Sequence, residues 1–225
     1  MNNKDNEKLK EYKWSKLEKF IPFFRYLPFI DFVLVSGSLA MNSLHKDSDL
    51  DVVVGTKYGR IFTTRFLTAM LFQILGVRRK ADDTKESSSD KICFNHFVTS
   101  ESYKLSEPHN IYWKDLYKNL IPVYGNKEKI EDFFEINSWS DRKSETFSVL
   151  SKEKNLSGKL LEIIFSSKPG DLVEKTLKNY QKKRIDKGVE NGALGYKPLL
   201  TVNDKEIRLH IDTKRVEEYV KENSN

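Results

Sequence analysis

The chain has one cysteine, Cys93, among 225 residues, which excludes an internal disulfide and fits a reducing compartment. It also lacks a long hydrophobic run. The most apolar stretch, FIPFFRYLPFIDFVLV from Phe20 to Val35, is broken by Pro22, Arg25, Pro28 and Asp31, too often to span a bilayer. The start, MNNKDNEKLKEYKW, is charged and has no apolar core of the kind a secretory leader needs. Histidine is scarce, and His109 and His210 have no paired spacing suited to zinc. No internal repeat is visible. These absences together lead us to expect a soluble, cytoplasmic protein with no membrane association.

What is present is enough to build a core. Apolar residues make up 38%, including 14 Phe and 10 Tyr, and charged residues 32%. That balance belongs to a folded domain, or to a small domain with a helical appendage. The formal charge of +6 favours anionic partners such as nucleotides or RNA, although abundant lysine alone accounts for most of the excess.

Periodicity divides the chain into two parts. Leu9, Tyr12, Leu17 and Phe20 have near-helical spacing and predict an opening helix over residues 4–20. DFVLVSG reads as a strand ending at Gly37, and LDVVVG as a second, buried strand. RIFTTRFLTAMLFQIL, from Arg60 to Leu75, reads as a well-buried helix ended by Gly76. The polar RRKADDTKESSSD is expected to be a mobile loop before a third strand, KICFNHFVTS. Beyond it HNIYWKDLYKNL and KEKIEDFFEINSW read as helices joined by a turn at IPVYGN, with two more over residues 155–166 and 170–187. A terminal strand pair turning at Asn203-Asp204 precedes a last helix. The expected fold is α+β: a mixed sheet with flanking helices over residues 1–105, then a mainly helical part over 106–225.

The chemistry concentrates in VSGSLAMNSLHKDSDLDVVVG, Val35 to Gly55. Asp49 and Asp51, one residue apart on a strand, point to the same face. Like charges held that close repel unless a cation neutralises them, and hard divalent cations prefer oxygen ligands. Gly37 lets the backbone approach a ligand closely, and Ser38 can open a short helix whose free amides favour phosphate. A phosphate-binding turn joined to an acid pair suits phosphoryl or nucleotidyl transfer.

Gly37-Ser38 followed by Ser48-Asp49-Leu50-Asp51 resembles the signature of the DNA polymerase beta-like nucleotidyltransferase superfamily, in particular its small prokaryotic members, the minimal and kanamycin nucleotidyltransferase-like enzymes. The resemblance covers residues 32–54, and by order of elements reaches the third strand. It implies that Ser38 contacts the triphosphate of a bound nucleoside triphosphate, with Gly37 allowing its approach. It implies too that Asp49 and Asp51 bind Mg2+ or Mn2+. A third acid, which in the family helps deprotonate the acceptor hydroxyl, would align with Asn95. Asparagine is a poor base, and Asp90 could replace it only if the register shifted. His96 should face the opposite side, toward the core.

The resemblance therefore implies transfer of a nucleoside monophosphate to an acceptor hydroxyl on a protein, a tRNA or a small molecule. Its alternative is a non-catalytic relative that binds nucleotide or RNA. Residues 175–187, with Lys175, Lys178, Lys182, Lys183, Arg184 and Lys187, form a basic helix that is either a solvated face or an RNA contact. Arg78, Arg79 and Lys80 border the polar loop, where they either face solvent or close over phosphates.

Overall fold

The computed structural model describes residues 3–80, 82–105, 107, 109–142, 149, 154–190, 199–210 and 214–223. Its centre is a six-stranded mixed open sheet in the order β4-β1-β2-β3-β6-β5. The strands are β1 (Ile30–Val35), β2 (Leu50–Thr56), β3 (Ile92–Thr99), β4 (Ile121–Gly125), β5 (Leu199–Val202) and β6 (Glu206–His210). Only β2 and β3 pair in parallel, because helix α3 (Ile61–Ile74) carries the chain back between them; the other neighbours are antiparallel.

Side-chain alternation gives the sheet two apolar faces. Leu50, Val52 and Val54 of β2 join Leu17, Phe24, Phe62 and Phe72 on one face, under α1 (Asn3–Glu18) and α3. Phe32, Leu34, Val53 and Val98 face the other way, onto Trp113, Leu116 and Tyr117 of α5 (Ile111–Lys118) and Ile130 and Phe133 of α6 (Lys127–Ile136). Both of these helices begin at an asparagine. Asn110 accepts from the Trp113 amide at 3.2 Å and Asn126 from the Lys129 amide at 3.1 Å, satisfying donors that a helix start leaves free.

Three sequence expectations need correcting. IPVYGN is not a turn: Ile121–Gly125 is β4, an edge strand on β1 with Val35 opposite Ile121 and Phe32 opposite Gly125. Pro122 is tolerated there because an edge strand leaves one row of ladder positions unpaired. The polar loop before β3 contains a helical turn, α4 (Lys85–Ser88), which Thr84 caps by accepting from the Ser87 amide at 3.2 Å. The helix after Gly37 starts at Gly37 itself (α2, Gly37–Ala40), so Ser36 rather than Ser38 is the residue that precedes it.

The expected later helices are present as α7 (Leu156–Phe165), α8 (Lys168–Glu190) and α9 (Lys214–Asn223). The terminal strand pair is β5–β6, and β6 docks on β3 with Arg208 opposite His96. Strands β4, β5 and β6 all come from beyond residue 106, so one sheet runs across the expected boundary near residue 105. Among the described residues, no helix is long and apolar enough to cross a membrane.

Candidate functional site

The two aspartates lie where β1 leaves the sheet and β2 and β3 enter it. Asp51 is the second residue of β2, with its carbonyl accepting from the Ser36 amide at 2.9 Å, and Asp49 comes just before the strand. The loop delivering Asp49 is fastened by Lys13 of α1, a fully buried lysine. Its ammonium donates to the carbonyls of Lys46 at 2.8 Å and Ser48 at 2.6 Å and pairs with Asp90 at 2.7 Å. Tyr12 also donates to Asp90, at 2.8 Å. Asp90 is thus committed to α1 and does not take the place of a third acid.

Gly37 is needed for two reasons. Its φ of +64° is left-handed, and a Cβ there would overlap the Asp51 carboxylate. The turn and the acid therefore occupy one space, as the sequence spacing suggested. Ser36, Gly37, Asp51, Asn95, Tyr112 and Leu116 all line a cleft of about 40 Å³. That volume admits an ion or a water, not a nucleotide, so a larger ligand would lie outside it. Ser38 sits one residue into α2 and is buried, with its carbonyl accepting from the Ser43 amide at 2.9 Å.

Asn95 does reach the acids. Its side-chain amide donates to Asp51 Oδ1 at 3.1 Å. His96, however, does not face the opposite side. Asp51 pairs with Cys93 and Val53 with His96, so β3 has one more residue than β2 between those pairs. This bulge puts Asn95 and His96 on the same side of the sheet as Asp51 and Val53. His96 is buried, with Nε2 at 3.1 Å from Glu206 and its ring edge-on to Tyr117. Burial holds its imidazole below the ordinary value, against the pull of Glu206.

Four further residues take parts in the site that the sequence did not show. Arg79 donates to Asp49 in a close ion pair. Burial pulls the Arg79 guanidinium down, but Asp49 beside it, with Asp51 further off, outweighs this and raises it above the ordinary value. Cys93 brings its sulfur to the acids: one ligand atom from each of Asp49, Asp51 and Cys93 lies within 4.8 Å of the others. Burial first, then Asp51 and Asp49, push the thiol well above its usual range, so it stays protonated. Tyr112 and Leu116 close the cleft from α5. Alternation on β3 puts Cys93 on the face of Asn95, whereas only the tertiary path of the loop reveals the pairing of Arg79 with Asp49.

The donor set suits a hard divalent cation through two carboxylates, with a neutral thiol contributing little. Both acids already have protein donors, Arg79 on Asp49 and Asn95 on Asp51, so a cation entering here would displace or share them. In the basic helix α8, Lys178 is paired with Asp204 at 2.5 Å. Comparison with protein-family models, with curated proteins and with solved structures finds no match.

Proposed function

We propose that this chain is a metal-dependent nucleotidyltransferase. The observation that carries the reading is the fit of Asp51 into the space left by Gly37, with Asp49 within reach of the same ion. Asp49 and Asp51 would hold Mg2+ or Mn2+, which when bound neutralises charge on the phosphates of the nucleoside triphosphate. The chain's own residues do the rest. Gly37 and the first turn of α2 leave backbone open beside the acids, and Asn95 fixes the Asp51 carboxylate. The acceptor hydroxyl, on a protein, tRNA or small molecule, would form a bond to the α-phosphorus as the bond to pyrophosphate breaks. Its proton leaves to water or to a carboxylate, because Asn95 cannot take it.

A second reading, a non-catalytic nucleotide- or RNA-binding protein of the same fold, is favoured by two contacts: the amide of Asn95 where a base would stand, and Arg79 on Asp49. Incubation with α-labelled nucleoside triphosphates, Mg2+ and total RNA or cell lysate separates the two. Label transfer that disappears in the Asp49→Ala, Asp51→Ala double variant supports the enzyme. Metal-dependent nucleotide binding without transfer supports the second reading, and binding of neither nucleotide nor metal refutes the enzyme.

A further inference from the structure

Beside the acid pair and its Arg79, three further arginines, Arg65, Arg78 and Arg184, lie close enough to repel one another, and none has an acid partner among the described residues. Arg65 lies on α3 and Arg184 on α8, which packs beside it. Gln181 joins the two helices: its side-chain oxygen accepts from the Arg65 guanidinium at 2.6 Å, and its amide donates to the Phe62 carbonyl at 2.8 Å. Arg184 is one helical turn beyond Gln181, on the side facing α3. Arg78 follows α3 and bridges to Ile92 at the entry to β3.

Among the described residues, no carboxylate lies within ion-pair distance of any of the three, although Arg60, Arg79 and Arg208 each have one. Arg65 accordingly depends on a neutral amide, and its Nε is buried with no hydrogen-bond partner. Burial, then repulsion from Arg78 and Arg184, push the Arg65 guanidinium down to about 10. Burial and Arg184 likewise lower Arg78. A partly buried guanidinium with an orphaned donor, beside two like charges, is costly unless an anion completes the group.

We propose that Arg65, Arg78 and Arg184 form a phosphate-binding site. Guanidinium suits phosphate because its planar fork matches two oxygens at once, and three forks from separate elements can surround one phosphate group. Lys183, next to Arg184, and Lys187, one turn beyond it, are exposed on α8 and add to the positive surface. The phosphate can come from a nucleotide or from a nucleic-acid backbone; one chemistry recognises both. The site does not depend on the acid pair, so it stands or falls apart from the proposed activity.

The test is done in EDTA, which silences any metal site. A fluorescein-labelled 15-nucleotide single-stranded RNA is titrated with the full chain and read by anisotropy across a salt series, and ATP and inorganic tripolyphosphate are added as competitors. Wild-type protein is expected to bind. Arg65→Gln and Arg184→Gln are each expected to weaken binding by about tenfold or more and to reduce the salt slope by about one. Arg184→Gln is the safeguard against misfolding, since Arg184 is exposed and its loss leaves the core intact. Displacement by ATP and tripolyphosphate assigns the site to terminal phosphates, whereas RNA binding that resists both assigns it to the backbone. The proposal is overturned if RNA, ATP and tripolyphosphate all fail to bind, or if Arg184→Gln binds with unchanged affinity and salt slope.

Discussion

At the residue scale, Asn95 decides what the site can do. Its amide sits 3.1 Å from Asp51, where the proposed nucleotidyl transfer would call for a proton acceptor. Asn95→Asp sets carboxylate against carboxylate. Without metal it should lower stability by about 1–2 kcal/mol, through a lost hydrogen bond and like-charge repulsion. Millimolar Mg2+ should restore part of that loss, read as the urea midpoint in EDTA against Mg2+. An equal loss in both conditions would mean that no cation enters beside Asp51. Asp49, Asp51 and Gly37 were legible in the sequence because spacing and strand alternation are local properties. His96 was misplaced because a single extra residue in β3 reverses alternation, and nothing in FNHFV announces a bulge.

At the element scale, one carboxylate of α8 anchors the start of α3. Glu174 of α8 accepts from the Phe62 amide at 2.9 Å, the Thr63 amide at 2.7 Å and the Thr63 hydroxyl at 2.6 Å. It thus caps the start of α3 from another helix, at the end where the helix dipole favours negative charge. Glu174→Ala should cost about 2–4 kcal/mol, because it strands two buried amides. Urea denaturation checks this, and a loss under 1 kcal/mol would contradict the cap. Sequence periodicity found both helices but gave no sign of this link, since the partners are 111 and 112 positions apart. The same limit hid β4. IPVYG is short and contains a proline, and only its pairing with β1 makes it a strand.

For the molecule as a whole, an expected two-part chain is drawn together by one sheet, because β4 and the β5–β6 hairpin extend the edges of a core laid down by β1, β2 and β3. The hairpin brings Glu206 and Arg208 against His96, all three buried. Since burial keeps the folded imidazole below its ordinary 6.5, the unfolded chain takes up that proton first on acidification. Stability should hold above pH ~6.5 and fall below it. His96→Gln should flatten that fall, measured by denaturant unfolding between pH 7.5 and 5.5; an unchanged slope would show that His96 is already charged in the fold.

The proposed nucleotidyl transfer rests on a divalent cation at Asp49 and Asp51, and titration with Mn2+ read by electron paramagnetic resonance tests this directly. Wild-type protein is expected to bind Mn2+, Arg79→Ala to bind it more tightly because Asp49 loses its competing cation, and the Asp49→Asn, Asp51→Asn double variant to bind none. Mn2+ affinity unaffected by the loss of both carboxylates, or absent from wild type and Arg79→Ala alike, would contradict the account.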